Sequence, residues 1–196
     1  MHKHIILPLF LLFAGAFAPT LIAQNKNISN GNIYEGEPFI AVNPANTRNI
    51  VVCWMGLAPT STTGATIKVR SSFDGGATWS AVKWIPHLQT GHKSADPSMV
   101  FDTDGTLYLC YIDWAEVPIS GGVYVCKSVD GGLNWAPPVE ALSVFADGQK
   151  LPLDRPWMVI DRSNGPLHGA LYLTTKPAPW ILPPNRPYFT HSTNGG

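Results

Sequence analysis

The amino-acid sequence predicts an all-β protein built from repeated four-stranded antiparallel units. Three observations support this fold class. A phrase of the form Ser-x-Asp-Gly-Gly-x-x-Trp occurs twice, and the longer segment around it recurs at an interval of 59 residues. Beyond the N-terminal apolar run, no segment has the 3.6-residue apolar period of an amphipathic helix. The 18 glycines and 18 prolines are scattered along the 196 residues, as in a chain with many short strands and turns.

The first 23 residues predict a secretory signal peptide. A weakly basic start precedes an almost unbroken apolar run from Ile5 to Ala18, which is shorter than the ~20 residues that a membrane-spanning helix needs. We expect cleavage near Ala23 and a mature protein without a membrane span, located in the periplasm, at the cell surface or in the medium. An uncleaved N-terminal anchor is the alternative. Residues 24–36 are then a linker.

The repeat divides residues 37–196 into three units. Pro38, Pro97 and Pro156 stand at equivalent positions and fall at 59-residue intervals. The units cover 37–95, 96–154 and 155–196, and the last of them lacks its fourth strand. Four-stranded units that repeat every roughly 40–60 residues are typical of the blades of a β-propeller. The sequence therefore predicts an incomplete propeller of about three blades.

Each unit contains a β-rich run, a polar turn, a second run, a third run that leads into the repeated phrase, and a short fourth run. Asp104-Gly105 and Asn164-Gly165 supply turn residues that tolerate positive φ. In chain order, the predicted strands cover 38–43, 49–55, 66–72, 79–85, 97–102, 106–113, 122–128, 137–143, 156–161, 169–175 and 187–192.

The repeated phrase falls at the hairpin turn between the third and fourth strands. There an aspartate can accept hydrogen bonds from the backbone N–H groups of its own turn, and the serine hydroxyl can reach that aspartate. The glycine permits positive φ, and the tryptophan covers the neighbouring apolar surface. We assign a structural role to Ser72, Asp74, Gly76 and Trp79, to Ser128, Asp130, Gly132 and Trp135, and to Ser192, Asn194 and Gly196 of a partial third copy in which asparagine replaces aspartate.

These phrases resemble the Asp-box, or bacterial neuraminidase (BNR) repeat, of the sialidase superfamily. The resemblance extends from about Glu37 onward and implies an incomplete propeller of sialidase type, with this chain as its N-terminal fragment. It also implies an exported glycoside hydrolase that removes terminal acidic sugars from glycans, as exo-α-sialidases do. The Arg-Ile-Pro motif that supplies the family's first substrate-binding arginine is missing, since residues 35–39 read Glu-Gly-Glu-Pro-Phe. The blades that carry the family's tyrosine nucleophile and its glutamate partner also lie outside this chain. A non-catalytic Asp-box propeller that binds glycan or protein is the alternative.

The candidate site follows from the expected architecture, because a propeller presents its binding groups where the innermost strands begin. We take the first strand of each unit as innermost. Asp96 or Glu37 is the predicted catalytic acid/base, and Arg155 is predicted to bind a ligand carboxylate through two parallel hydrogen bonds. The further predicted substrate-binding residues are Asp154, His92 and Trp157. In the alternative interpretation, these charged groups pair with one another across neighbouring units.

The charge balance and motif spacing limit the possible partners. The net charge is zero and no basic patch is present, so nucleic acid and anionic membranes are not expected as partners. We expect a carbohydrate or glycoprotein ligand, contacts with the remaining blades of the full-length chain, no cofactor and no metal, because no histidine or aspartate spacing fits a zinc or calcium motif. Cys53, Cys110 and Cys126 are either small buried apolar residues or, for the last two, a disulfide across their hairpin.

Overall fold

The computed structural model describes residues 25–31, 34–57, 64–146, 153–180 and 186–196, which form eleven β-strands and no helix. The predicted all-β class is therefore confirmed. The signal peptide expected in residues 1–23 lies outside the described residues. In the part of the chain that the structure describes, nothing has the helical length and apolarity needed to cross a membrane.

The strands form three antiparallel sheets in which neighbours along the chain are also neighbours in the sheet. The first sheet contains β1 (Glu35–Val42), β2 (Ile50–Leu57), β3 (Ala65–Ser72) and β4 (Lys83–Trp84). The second contains β5 (Lys93–Phe101), β6 (Leu107–Glu116), β7 (Ile119–Ser128) and β8 (Val139–Ser143). The third contains β9 (Leu153–Ile160), β10 (Leu171–Pro177) and β11 (Tyr188–Ser192).

Every observed strand overlaps the strand predicted from the repeat, and β4 differs most in length. It contains only Lys83 and Trp84, whereas the sequence predicts a strand over 79–85. The rest of the segment follows β3 through separate backbone hydrogen bonds, from Ser80 N–H to the Ser71 carbonyl at 2.8 Å and from Ile85 N–H to the Ile67 carbonyl at 2.9 Å. The Asp-box turn extends to Trp79, the first residue of the predicted strand, so the regular strand pairing begins later.

The second sheet lies between the other two and supplies both halves of the core. Alternate residues of a strand face opposite sides of its sheet. Leu107, Leu109 and Tyr111 of β6 accordingly pack with residues of the first sheet, whereas Tyr108 and Cys110 pack with residues of the third. The extended apolar run that the sequence shows in β6 is thus explained by burial on both faces.

The first strand of each sheet has the same backbone irregularity. Glu37, Asp96 and Arg155 adopt positive φ values of 51°, 54° and 48°, and each directly precedes a proline. The pairing register shifts at each of these positions. A non-glycine residue at positive φ costs on the order of 1–3 kcal/mol, and such strain occurs preferentially at functional sites. Because β5 contacts both β1 and β9, the three bulges lie next to one another.

The cysteines are all buried and free. Cys110 pairs across the hairpin with Val125, and Cys126 pairs with Leu109. The two sulfur atoms therefore lie on opposite faces of the sheet, and the alternative of a Cys110–Cys126 disulfide is wrong. Burial raises the pKa of each of these two thiols to about 12, as expected for small side chains enclosed in a core.

Candidate functional site

The three bulges meet at two adjoining cavities. One has a volume of about 320 Å³ and is lined by the bulge residues of all three first strands, including Trp157. The other has a volume of about 530 Å³. The two cavities share Glu37, Asp96 and Arg155, and the larger one adds Asp154, Lys176, Trp114 and Trp180.

Asp96 is the centre of a carboxyl cluster in these cavities. Its Oδ2 accepts a 2.8 Å hydrogen bond from the Arg155 backbone N–H, and its side chain also hydrogen-bonds with the carboxyl groups of Glu37 and Asp154. Burial raises the pKa of the Asp96 carboxyl, the hydrogen bond with Glu37 adds to this rise, and the bonds from Arg155 and Asp154 oppose it. A carboxyl that retains its proton to a higher pH is suited to act as a general acid.

The two cations of the cavity have different environments. Lys176 from β10 forms an ion pair with Asp154. The Arg155 side chain is exposed, and its guanidinium makes no hydrogen bond or ion pair with any described residue. The alternative interpretation, in which the charged groups pair with one another, therefore holds for Asp154. It does not hold for the Arg155 side chain. The free guanidinium can bind a planar anion through two parallel N–H···O bonds.

Aromatic rings border the same cavities. The Trp157 side chain is 57% exposed, and its ring lies edge-to-face against Phe39 with centroids 5.5 Å apart. Trp114 carries the Lys93 ammonium 5.1 Å from its ring centroid, and Trp180 is largely exposed. Exposed aromatic faces beside charged groups provide stacking surfaces for a sugar ring.

His92 lies away from these cavities. It directly precedes β5 and is buried, with Nδ1 2.5 Å from Asp113 Oδ1 and Nε2 3.0 Å from Ser120 Oγ. The other five predicted site residues line the cavities. Lys176 was missed by the sequence reasoning because it stands on a second strand of its unit and not at the entry to a first strand.

The Asp-box turns form nearly the same hydrogen bonds in the first and second sheets. Ser72 Oγ donates to Asp74 Oδ1 at 2.8 Å and accepts from Gly76 N–H at 2.8 Å. Ser128 Oγ donates to Asp130 Oδ1 at 2.8 Å and accepts from Gly132 N–H at 2.9 Å. The partial third copy repeats this pattern with Ser192, Asn194 and Gly196.

The second and third Asp-box turns also contact the sheet that precedes each of them. Asn49 donates a 3.3 Å hydrogen bond from its side chain to the Gly131 carbonyl, and a Cβ at Gly132 would lie 2.6 Å from Ser71 Oγ. In the third copy, the Lys127 ammonium donates to the Gly195 carbonyl at 3.3 Å. These turns therefore connect successive sheets, and none of their residues lines the two cavities at the bulges.

Comparison with known proteins supplies a fold but no function. No protein-family model matches the chain, and no curated protein matches it. Among solved structures, the chain is similar to the crystal structure of a protein of unknown function from Dyadobacter fermentans DSM 18053, with a TM-score of 0.57 and 19% sequence identity. The match covers 84% of this chain and 52% of that one, so the chain spans about half the length of the solved structure.

Proposed function

We propose that the three sheets belong to a β-propeller of sialidase type that further sheets complete. Support comes from the repeated meander, the adjacent first strands and the equivalent Asp-box turns. The outer faces of the end sheets add support, because they expose apolar side chains that alternate with core residues. These side chains are Ile40 and Val42 in the first sheet and Val159 and Phe189 in the third. A following sheet on each side would cover them.

On this fold, the proposed function is the hydrolysis of terminal acidic sugars from glycans or glycoproteins by an exported enzyme. The observation that carries the proposal is the Arg155 guanidinium, which pairs with no described residue, beside the partly buried carboxyl of Asp96, whose pKa is raised. Arg155 binds the sugar carboxylate, and Asp96 donates a proton to the departing glycosidic oxygen. Glu37 shares a hydrogen bond with Asp96 and orients it, while Trp157 stacks against the sugar.

A second candidate is a non-catalytic propeller that binds the same class of glycan. The first strand favours this candidate, because the segment that replaces Arg-Ile-Pro serves a structural purpose. Glu35 forms a 2.7 Å ion pair with the buried Lys68 and accepts a hydrogen bond from Trp54. These contacts hold the first sheet together and leave no arginine at this position to bind a substrate carboxylate.

Turnover of a fluorogenic sialoside by the full-length protein separates the two candidates. For the hydrolase, we expect Arg155→Ala to weaken both glycan binding and turnover. Asp96→Asn should lower turnover at least about 100-fold and leave binding intact, because it removes only the proton donor. Arg48→Ala is the matched control, since Arg48 is an exposed arginine outside both cavities.

Each result of this experiment has a distinct consequence. Retained glycan binding without turnover by the unmutated protein would establish the second candidate. Failure of the unmutated protein to bind or cleave any sialoside would overturn both. Full activity in Arg155→Ala would remove that residue from the site.

A further inference from the structure

A second cluster of reactive side chains lies at the β6–β7 hairpin, outside the cavities at the bulges. Its residues come from three segments of the chain. Asp113 is on β6, His92 directly precedes β5, and Ser120 is near the start of β7. Ser120 Oγ lies 3.0 Å from His92 Nε2, and His92 Nδ1 lies 2.5 Å from Asp113 Oδ1. A hydroxyl, an imidazole and a carboxylate in this order form the chain of a serine nucleophile, its base and the group that orients the base.

The surroundings of Asp113 keep it ionised. The residue is fully buried, and burial alone would raise the pKa of its carboxyl. Hydrogen bonds from His87, Ser94 and His92 outweigh burial and lower this pKa below the ordinary value. The distances to Asp113 Oδ2 are 2.8 Å from His87 Nδ1 and 2.7 Å from Ser94 Oγ. A carboxylate in this state also stabilises positive charge on the neighbouring imidazole.

These contacts determine which nitrogen of His92 can act as a base. The Asp113 carboxylate only accepts hydrogen bonds, so His92 Nδ1 carries the proton that is donated to it. In the neutral ring, Nε2 is then the unprotonated nitrogen, and it accepts the Ser120 hydroxyl proton across the 3.0 Å contact. The Pro118 carbonyl is a second possible acceptor for this hydroxyl, but it lies farther away, at 3.4 Å.

The backbone holds Ser120 firmly beside this base. A Cβ at Gly121 would lie 2.0 Å from the Asp113 carbonyl oxygen, so only glycine permits β7 to approach β6 so closely here. Ser120 itself is half-buried next to the exposed hairpin tip, where Val117 is 92% exposed. The backbone that carries Ser120 is therefore held against β6, and the residue lies close to solvent.

We propose that Ser120 and His92, oriented by Asp113, hydrolyse short-chain acyl esters. Ser120 Oγ attacks the ester carbonyl carbon while its proton passes to His92 Nε2. The bond from that carbon to the alkoxy oxygen then breaks, and the alcohol leaves with the proton from His92. Water next attacks the acyl-serine and gives up a proton through His92, which releases the carboxylic acid and restores the Ser120 hydroxyl. The balance requires only the ester and water.

The test uses the full-length protein, a fluorophosphonate probe and p-nitrophenyl acetate. We expect peptide mapping by mass spectrometry to find the probe on Ser120. Ser120→Ala should abolish labelling, and His92→Gln should slow both labelling and ester hydrolysis at least about 100-fold, because glutamine cannot accept the proton. Ser163→Ala removes an exposed turn serine and should change neither rate.

Asp113 is a positioning residue, because it orients the His92 imidazole. Its test therefore needs a measurement that would not change if the substitution only disturbed packing. In Asp113→Asn we expect a lower labelling rate and a rise in this rate that begins at lower pH, because loss of the carboxylate charge disfavours the imidazolium. Absence of probe from Ser120 in the unmutated protein would overturn the proposal, whether or not any variant folds. An undiminished rate in a folded His92→Gln variant would also overturn it. Arg155→Ala should leave ester hydrolysis unchanged, which separates this activity from the proposed glycosidase site.

Discussion

At the scale of single residues, the Asp-box turns depend on a buried serine more than on the aspartate from which the motif takes its name. Ser128 is almost fully buried, and its hydroxyl both donates to Asp130 and accepts from the Gly132 N–H. Asp130 is near the surface and receives bonds from the backbone and side chain of Asn134. Water can take the place of a lost hydrogen-bond partner at the Asp130 carboxylate, which is near the surface. It cannot do so at the buried Ser128 hydroxyl.

We predict that Ser128→Ala lowers the free energy of unfolding by about 1–3 kcal/mol, because it leaves the Gly132 N–H without a partner in a buried position. Ser192→Ala is the matched control, since the equivalent hydroxyl in the partial third copy is more exposed. The decrease in the free energy of unfolding should be smaller for Ser192→Ala than for Ser128→Ala. Urea denaturation of both variants measures the difference, and equal losses would contradict this account of the turn.

The same turn predicts a dependence of stability on pH. Burial disfavours the ionised Asp130, but hydrogen bonds from Asn134 and Ser128 outweigh it and hold the pKa of this carboxyl below its ordinary value. A depressed folded-state pKa stabilises the fold above the unfolded pKa of about 3.9, and this contribution is lost as the pH falls through the folded-state value.

Asp130→Asn should therefore be less stable than the unmutated protein near neutral pH. This difference in stability should disappear as the pH is lowered. We expect the gap in melting temperature between the variant and the unmutated protein to narrow from about pH 5 downward. Thermal denaturation at a series of pH values measures the gap. A constant gap over that range would mean that ionisation of Asp130 does not contribute.

At the scale of elements, the β6–β7 hairpin is limited by the close approach of its two backbones. Gly121 and Gly75 both have positive φ, at 100° and 76°, but only Gly121 has neighbouring backbone atoms where a Cβ would stand. We predict that Gly121→Ala costs at least about 3 kcal/mol in the free energy of unfolding. Gly75→Ala should cost only the about 1–2 kcal/mol of backbone strain. Chemical denaturation compares the two, and a similar cost for both would show that the contact in β6–β7 relaxes.

The sequence predicts the strands well because each unit repeats the same local pattern of β-rich runs and turns. The bulges were not predicted, since the positive φ of Glu37, Asp96 and Arg155 depends on the pairing of first and second strands and not on a local turn signal. The cluster at Asp113 was missed for a related reason. Asp113 is the last residue of the strand predicted over 106–113, and its partner His92 belongs to a segment that only the folded sheet brings near it.

At the scale of the whole molecule, the second sheet packs against both of the others, so a change in its core residues should affect the stability of its neighbours. Leu109 is fully buried between the first and second sheets. We predict that Leu109→Ala lowers the free energy of unfolding by about 2–5 kcal/mol through lost burial and the cavity left behind. Leu167→Ala is the control, because Leu167 is 50% exposed, and its effect should be within about 0.5 kcal/mol. Guanidinium denaturation followed by tryptophan fluorescence measures both, and a small loss for Leu109→Ala would contradict the packing described between these sheets.

The candidate glycan site also depends on the arrangement of the three sheets. Sequence spacing predicted that Glu37, Asp96 and Arg155 would meet, because equivalent positions of a repeat come together when the units stack side by side. It could not predict that, among the residues that the structure describes, Asp154 has an ionic partner and the Arg155 side chain has none. That difference follows from Lys176, which reaches the cavity from the neighbouring strand of the third sheet.

The three positive-φ positions share one backbone shape but carry a glutamate, an aspartate and an arginine. All three positions share the following proline and the register shift, and they differ only in the side chain. The backbone conformation is therefore independent of the chemical group that each position carries. An exchange of acid, base or neutral group at one of these positions would change the charge that the cavity presents, while the following proline and the shifted register remain.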